Sequence, residues 1–241
     1  MSTAIITGSS RGIGLHTALR FAEAGYKVFL NALHDSPALK EAAEKCSTLS
    51  HFECPAICGD VSNPAFAAEL VRKAAASGPI DVLINNAGIS HVGLLQDTDD
   101  ETWQKVINTN LSSVHFLTRA VVPEMLKVKS GRIINVSSVW GEYGASCEVA
   151  YSASKGGVNA YTKAAAKELA PSGISVNAVA CGCIKTDMLS IYSEEELNAL
   201  CDQIPYGKLG DPKDIADIIL KMAEMPTYLT GKILTVDGGW I

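Results

Sequence analysis

A phenol and an ammonium group four residues apart could act together as a proton donor. Tyr151 and Lys155 lie in a segment with helical periodicity, so positions i and i+4 share one helix face. A tyrosine has an ordinary pKa of about 10, and lowering it toward neutrality costs roughly 4 kcal/mol. We expect Lys155 to lower the pKa of Tyr151, so that the phenol can protonate an oxygen that gains negative charge. Pairs of this spacing are common on helix surfaces, and further residues must support this interpretation.

A glycine-rich segment near the start of the chain could form a phosphate-binding turn. Gly8, Gly12 and Gly14 follow a strand-like run and open a helical pattern. Glycines let the backbone turn sharply and approach a pyrophosphate, while the free N–H groups and the positive end of the helix dipole favour its charge. A merely structural turn is the alternative, but the strand-turn-helix context favours dinucleotide binding.

Strand-like and helical segments alternate along the chain. The strand-like runs are Thr3–Thr7, Lys27–Asn31, Phe52–Cys58, Asp81–Asn85, Arg132–Ser138, Ile174–Ala180 and Lys232–Val236. The amphipathic stretches include Ile13–Ala24, Ala38–Ser47, Ala65–Ala76, Thr102–Lys127 and Tyr151–Ala170. This alternation predicts an α/β, Rossmann-like doubly wound fold, with a seven-stranded parallel sheet flanked by helices on both faces.

Nothing in the sequence marks a domain boundary, because linkers, low-complexity segments and internal repeats are lacking. We therefore predict a single dinucleotide-binding and catalytic domain over residues 1–241. The rhythm of strands and helices is weakest over Cys181–Pro212, where Ser193 followed by Glu196 indicates a helix N-terminus. We expect a mobile substrate lid at about residues 184–212.

The motifs taken together resemble the short-chain dehydrogenase/reductase family over essentially the whole chain. They are the Gly-x-x-x-Gly-x-Gly spacing, Asn85-Asn86-Ala87-Gly88, Ser138 and Tyr151-x-x-x-Lys155, in this order. The resemblance implies four catalytic residues, which are Asn110, Ser138, Tyr151 and Lys155. Tyr151 would donate the proton, Ser138 would orient the substrate carbonyl, and Asn110 would hold a water in a proton relay to Lys155. Ser137 is the adjacent alternative to Ser138, and Asn110 could also bond a helix backbone at a kink.

The resemblance also implies which residues bind the dinucleotide. Asp60 and Val61 would meet the adenine, Thr186 would contact the carboxamide end, and Lys155 would grip the nicotinamide ribose. The predicted set is Gly8, Ser10, Arg11, Gly12, Ile13, Gly14, His34, Asp60, Val61, Asn86, Ala87, Gly88, Tyr151, Lys155, Gly182, Ile184 and Thr186. Structural alternatives remain for some of them, since Asp60 could cap a turn and the Asn-Asn-Ala-Gly run could only end a strand.

The cofactor type depends on the end of the second strand, where a carboxylate would hold the 2′-hydroxyl of NAD and repel the 2′-phosphate of NADP. By resemblance that position is Ala32, and Asp35 fits better in the turn before the next helix. Arg11 matches the family position of a cation over the 2′-phosphate, and His34 could add a hydrogen bond. We predict NADP(H), with NAD(H) as the alternative.

The resemblance implies a carbonyl reductase, and the length and the closing segment Gly231–Trp240 are similar to 3-oxoacyl-acyl-carrier-protein reductases. A small-molecule or carrier-bound ketone would be the substrate, and an acidic carrier protein would dock near Lys127, Lys129 and Arg132. The chain departs from this group at Cys181-Gly182, where the family usually has Pro-Gly, at Ser172 and at Ile89–Val92.

Two other functions stay open. The segment Ser138–Val149 is similar to a branch that reduces a 5-aminopentanone group on a lysine of elongation factor P, where Glu142 or Glu148 would meet the substrate amine. Some members of this fold bind NADP without turnover and act as redox sensors. These commonly lack the tyrosine or the lysine, so Tyr151 and Lys155 favour an enzyme.

Composition excludes several classes of partner. The net charge is −6 and no Lys/Arg run reaches four residues, so we expect neither nucleic-acid nor membrane binding. No apolar stretch approaches a membrane span, and the seven cysteines lack paired spacing, which predicts a cytoplasmic protein with reduced thiols. The scattered histidines and the pair Cys181 and Cys183 predict no metal site. The family resemblance implies a homotetramer that pairs through its long helices and last strand.

Overall fold

A computed structural model of the protein describes residues 2–241, so Met1 of the predicted domain lies outside the described residues. Seven parallel strands form one sheet in the order β3-β2-β1-β4-β5-β6-β7. The strands are β1 Thr3–Ile6, β2 Lys27–Ala32, β3 Ala56–Cys58, β4 Val82–Asn85, β5 Gly131–Ser138, β6 Ile174–Cys181 and β7 Ile233–Val236. The prediction of a doubly wound parallel sheet is therefore confirmed.

Helices cover both faces of the sheet. They are α1 Gly12–Glu23, α2 Pro37–Ser50, α3 Pro64–Ala75, α4 Asp100–Ile107, α5 Ser113–Val128, α6 Trp140–Tyr143, α7 Val149–Leu169, α8 Glu194–Gln203 and α9 Pro212–Glu224. One core packs α1, α2 and α9 on one face, and a second packs α3, α5 and α7 on the other. Alternation decides the division, since Ala4 and Ile6 of β1 enter the first core and Ile5 enters the second.

Strand order places a crevice at the carboxyl ends of β1 and β4. The chain leaves β1 toward β2 on one side and later returns to β4 on the other, so β1 lies between both strands. Ligands of open α/β sheets bind where the strand order reverses in this way, outside the carboxyl ends of the strands. The turn after β1 and the segments after β4, β5 and β6 therefore share one edge.

Three segments differ in detail from the sequence-based expectation. The predicted strand Phe52–Cys58 pairs with β2 only over Ala56–Cys58. The predicted helix Thr102–Lys127 is interrupted by one π-helical turn at Asn108–Ser112, which separates α4 from α5. The irregular segment before Pro212 contains α8, whose N-terminus forms a capping box between Ser193 and Glu196.

Among residues 2–241, no helix is both long and apolar enough to cross a membrane. All seven cysteines are free thiols, and Cys46, Cys54 and Cys181 are buried. The described part of the chain also contains no group of three or more His, Cys, Asp or Glu side chains that could hold a metal ion.

Candidate functional site

The predicted catalytic residues meet where β5 and β6 end. Ser138 is the last residue of β5 and pairs in register with Cys181, the last residue of β6. Tyr151 and Lys155 lie in the first two turns of α7, which packs on both strands. The sheet edge and the start of one helix thus bring a hydroxyl, a phenol and an ammonium group together.

Lys155 lies beside Tyr151, as the helical spacing predicts. Its Nζ is 5.6 Å from the centroid of the Tyr151 ring and donates a 2.8 Å hydrogen bond to the carbonyl oxygen of Val136. The side chain is buried, and burial lowers the pKa of Lys155 to about 8. At neutral pH most of the molecules therefore still carry the ammonium charge.

The pKa of Tyr151 differs from the expectation. Burial raises the pKa of the phenol, the Ser138 hydroxyl lowers it, and the neighbouring Cys181 thiol and Glu148 carboxylate raise it further. The expected lowering by Lys155 is not seen, because burial dominates and Nζ hydrogen-bonds to Val136. The phenol consequently keeps its proton at neutral pH, which is the state that proton donation requires.

Ser138, rather than Ser137, faces the phenol. The Oγ of Ser138 accepts a 3.2 Å hydrogen bond from the backbone N–H of Trp140, which leaves its own hydrogen free to donate. The Oγ of Ser137 instead donates to Oδ1 of Asn159 at 2.7 Å, inside the core. The two neighbouring serines therefore point to opposite faces of β5, as alternation along a strand requires.

Asn110 joins the site through the π-helical turn between α4 and α5. Its Oδ1 accepts from the backbone N–H of Ile89 at 2.8 Å, and its Nδ2 donates to the Ile89 oxygen at 2.9 Å and to Oγ of Ser154 at 3.0 Å. A Cβ at Gly88 would lie 3.3 Å from Oδ1 of Asn110 and 3.6 Å from Nζ of Lys155. Asn110 thus fastens the segment after β4 beside Lys155, and its predicted water relay stays a prediction.

The turn after β1 fits a dinucleotide pyrophosphate. Gly8 and Gly12 have φ angles of +63° and +55°, which favour glycine. A Cβ at Gly14 would lie 2.2 Å from the oxygen of Gly8, so a side chain there cannot be accommodated. No side chain of residues 2–241 caps the N-terminus of α1, so its first N–H groups, including that of Ile13, are left for an anion.

Asn86 and Ala87 fasten this turn to the end of β4. Nδ2 of Asn86 donates to the carbonyl oxygens of Thr7 at 2.8 Å and Gly8 at 3.1 Å. The backbone N–H groups of Asn86 and Ala87 both donate to Oγ1 of Thr7, at 3.0 and 3.1 Å. Thr7 was not in the predicted set, although its place directly before Gly8 is a usable signal.

The adenosine end of the crevice lies after β2 and β3. Ser36 caps α2 by accepting from the N–H of Leu39, and Asp35 forms an ion pair with Lys40 at 2.9 Å, so Asp35 belongs to the turn, as expected. Asp60 caps a turn as well, since its Oδ1 accepts from the N–H of Ser62 at 2.8 Å. Val61 is buried next to it.

Arg11 and His34 present exposed side chains near the crevice, and Ser10, directly before Arg11, is half-buried. The guanidinium of Arg11 lies 3.4 Å from the carboxylate of Asp187, with both side chains largely exposed. The Arg11 guanidinium is therefore accessible to a ligand, and its neighbour is the carboxylate of Asp187 in the predicted lid.

The start of the predicted lid lies directly on the glycine turn. A Cβ at Gly12 would be 3.3 Å from Cγ2 of Thr186. Ile184 is buried and bridges to Gly210, while Gly182 donates its N–H to the oxygen of Val236 at 2.9 Å. Thr186 thus lies beside the glycine turn, and Gly182 lies at the end of β7.

Sequence reasoning did not place Ser154 or Cys181 beside Tyr151, and it considered Glu148 only as one of two possible partners of a substrate amine. Ser154 links Asn110 to the backbone oxygen of Tyr151, accepting from the former and donating to the latter at 2.7 Å. Glu148 accepts a 2.5 Å hydrogen bond from Oγ of Ser90, and its charge raises the pKa values of Tyr151, Cys183 and Tyr192. A half-buried carboxylate therefore lies close to the phenol of Tyr151.

Comparisons with known proteins agree with this geometry. Residues 2–197 match the family model described as short chain dehydrogenase. The chain is 42% identical to an oxidoreductase of Bacillus subtilis, YmfI, described as uncharacterized, over 99% of this chain and 98% of the relative. It is 40% identical to the 3-oxoacyl-acyl-carrier-protein reductase FabG of Vibrio cholerae, over 98% and 96%. It is 42% identical to a 3-oxoacyl-acyl-carrier-protein reductase of Synechocystis, over 99% and 96%.

Proposed function

The chain belongs to the short-chain dehydrogenase/reductase family of oxidoreductases, and we propose that it is an NADP(H)-dependent carbonyl reductase that transfers hydride to a ketone. One observation carries this: Ser138, Tyr151 and Lys155 surround one point at the sheet edge that also carries the glycine turn. A reduced nicotinamide supplies the hydride when bound. The chain itself must bind the ketone, orient it and protonate the oxygen.

Each of these residues has one task in the proposed reaction. The Ser138 hydroxyl, whose oxygen accepts a hydrogen bond from the Trp140 N–H, would donate to the ketone oxygen and orient it. The phenol of Tyr151 gives its proton to that oxygen as negative charge develops there. With the cofactor bound, the ammonium of Lys155, which donates to the Val136 oxygen, would stabilise the phenolate that remains and would bind the nicotinamide ribose. Asn110 keeps Ile89 and Ser154 in place, and it would hold the relay water.

NADP(H) is favoured over NAD(H) by the charges at the adenosine end. Ala32 ends β2 without a carboxylate, and the nearby carboxylate of Asp35 is paired with Lys40. Arg11 offers an exposed guanidinium that suits a phosphate. A 2′-phosphate would thus meet a cation and no free carboxylate from the end of β2.

Among substrates, a 3-oxoacyl thioester is the first candidate. Relatives about 40% identical over nearly their whole length are named 3-oxoacyl-acyl-carrier-protein reductases. The thioester would be carrier-bound or free. Lys127, Lys129 and Arg132, at the end of α5 and the start of β5, would be the docking residues for an acidic carrier protein.

A second candidate is the reduction of a 5-aminopentanone group on a lysine of elongation factor P. The observation that favours it is Glu148, which lies near Tyr151 and forms no ion pair within residues 2–241. An uncompensated carboxylate raises the pKa of the phenol, and a substrate ammonium group would offset that effect. Exposed Glu142, the other acid considered, shows no such influence on Tyr151.

The deciding experiment compares NADPH oxidation with three substrates: a 3-oxoacyl thioester alone, the same acyl group on carrier protein, and aminopentanone-bearing elongation factor P. The substrate with the largest kcat/KM identifies the function. Absence of NADPH oxidation with all three, and with simple ketones, would contradict the proposed reductase.

Tyr151→Phe separates an enzyme from an NADP-binding redox sensor. Removing the hydroxyl removes the proton donor, so we expect kcat to fall by about 10²–10⁴-fold while the Kd of NADPH changes little. Stopped-flow oxidation of NADPH and fluorescence titration measure the two quantities. Ser137→Ala is the matched control, because Ser137 points into the core. A Tyr151→Phe variant with unchanged turnover would favour the sensor.

We also propose a cytoplasmic homotetramer with the whole chain acting as one catalytic domain, and a mobile lid over residues 184–212. The lid contains α8 and exposes Met188 and Ile191 beside the crevice. Apolar side chains there would cover a bound ketone and exclude water.

A further inference from the structure

The penultimate residue of the chain packs against the loop that follows Ser138. The rings of Trp140 and Trp240 have centroids 5.0 Å apart and planes inclined at 63°, in an edge-to-face arrangement. Such aromatic pairs contribute beyond their buried area. The fold thus brings the end of the chain onto the catalytic loop, across a sequence separation of 100 residues.

Hydrogen bonds from backbone N–H groups hold the last residues in one conformation. Oδ1 and Oδ2 of Asp237 accept from the N–H groups of Gly239 at 2.9 Å and Ile241 at 3.0 Å. The oxygen of Gly238 accepts from the N–H of Tyr206 at 3.1 Å, just after α8. The Trp240 indole is therefore presented by an ordered segment, and its position on Trp140 is defined by that segment.

Trp140 in turn determines where the Ser138 proton points. Its backbone N–H donates to Oγ of Ser138, which occupies one lone pair of that oxygen and leaves the hydroxyl hydrogen to point away from it. Val139 is tied to the oxygen of Cys181 at 3.0 Å, so the backbone before Trp140 is anchored. Trp140 is also the first residue of α6, where its oxygen accepts from the N–H of Gly144 at 3.1 Å, and its ring contacts Trp240.

We propose, on the basis of the function proposed above, that Trp240 is a positioning residue: by holding Trp140 it keeps the Trp140 N–H on Ser138 and aims the Ser138 hydroxyl at the reacting oxygen. Trp240 acts only through Trp140. The hydrogen bond from the Trp140 N–H to Ser138 also keeps the Ser138 hydroxyl near the phenol, and that hydroxyl lowers the pKa of Tyr151. Loosening Trp140 therefore affects both carbonyl orientation and proton transfer.

Trp240→Ala tests this in the enzyme with its best ketone and the corresponding alcohol. We expect kcat of ketone reduction to fall about tenfold, the size of one lost orienting hydrogen bond, with the Kd of NADPH unchanged. Alcohol oxidation needs the phenolate, so its rate should rise with pH at a higher apparent pKa than in the wild type, by about half a unit or more. Trp240→Phe should restore both values, since an edge-to-face pair can form again.

Near-UV circular dichroism reports whether the ring pair is lost, and Trp103→Phe on α4 is the control, with wild-type kinetics expected. If Trp240→Ala loses the ring signal and keeps both kcat and the pH profile, the positioning role is wrong. If Trp240→Ala instead loses NADPH affinity and kcat by similar factors, while its pH profile is unchanged, Trp240 has a purely structural role and the positioning role is also wrong. If Trp240→Ala does not fold, Trp240→Leu is measured under the same criteria. A wild-type chain that reduces no ketone would overturn the proposed function itself and this role with it.

Discussion

The charge of one residue, Arg11, is the feature by which the adenosine end of the crevice would distinguish NADP(H) from NAD(H). The Arg11 guanidinium is largely exposed and lies 3.4 Å from Asp187, at the long end of ion-pair distances. Exposed pairs of this kind contribute little to stability because water screens both charges. A 2′-phosphate carries more charge and more acceptor oxygens than one carboxylate, so it would displace Asp187 from Arg11. The weak ion pair with Asp187 would thus hold the Arg11 guanidinium near the crevice, and breaking it to bind the phosphate would cost little free energy.

Arg11→Ala should consequently weaken binding of NADPH more than binding of NADH. We expect the KM of NADPH to rise about tenfold or more and the KM of NADH to change less than about threefold, because only NADPH has the 2′-phosphate. Steady-state kinetics with both cofactors measure the ratio. Arg72→Ala, an exposed arginine on α3, is the control. Equal effects on both cofactors would show that Arg11 does not read the phosphate.

The connections between elements, more than the elements themselves, build the site. The turn from β1 to α1 places N–H groups at the crevice because its glycines adopt left-handed φ angles and pack without side chains. The π-helical turn between α4 and α5 directs Asn110 inward, where a regular helix would shift its side chain around the axis. Both irregularities place a polar group at the crevice that regular secondary structure would direct elsewhere.

Gly14→Ala should disrupt the first of these connections. The added methyl would lie 2.2 Å from the Gly8 oxygen and 2.4 Å from Nδ2 of Asn86, so the turn must move. We expect NADPH affinity to fall by about 100-fold or more, since the N–H groups no longer converge on the pyrophosphate. Fluorescence titration measures it.

Gly25→Ala is the matched control for Gly14→Ala. Gly25 has a φ of +83° with open space around it, so this change costs about 1 kcal/mol of stability through backbone strain alone. We expect it to lower the melting temperature and leave NADPH affinity intact. A Gly14→Ala variant that binds NADPH as well as Gly25→Ala does would show that the turn tolerates the methyl.

Two features of the whole molecule suit a contact with further copies of the chain. An open, mostly apolar groove lies between α5 and α7, lined by Leu111, Phe116, Gly157, Ala160, Tyr161 and Ala164. At the end of the sheet, β7 is an edge strand with Leu234 exposed. Unpaired edges and apolar grooves tend to be covered in native proteins. Both lie where the family resemblance predicts the interfaces of a homotetramer.

Ala164→Glu should break the proposed tetramer at the first of these surfaces. A buried, unpaired carboxylate is strongly unfavourable in an apolar contact, so we expect a change from tetramer to dimer in sedimentation velocity at micromolar concentration. Ala68→Glu, on the exposed side of α3, is the control and should sediment like the wild type. A wild-type chain that sediments as a stable monomer would contradict the tetramer.

Local patterns in the sequence determined the fold class and named the candidate catalytic residues that the structure brings together. Short apolar runs between the helical segments located all seven strands, because a parallel sheet buries each strand on both faces. The spacing of Tyr151 and Lys155 on one helix and the glycines after β1 required no long-range information. Shorter features, such as the break at Asn108–Ser112, were missed because a single π turn leaves the apolar period almost unchanged.

Tertiary structure alone decided the contacts between segments distant in sequence, and with them the electrostatics. Burial against β5 and β6 raises the pKa of Tyr151, an effect that the i, i+4 spacing cannot reveal because desolvation depends on every neighbour in space. Asn86 on Thr7, Asn110 on Ile89 and Trp240 on Trp140 likewise follow from strand order and helix packing. Residue types and spacing therefore named the chemical groups, while the packing of the sheet and helices decided their partners, burial and charge.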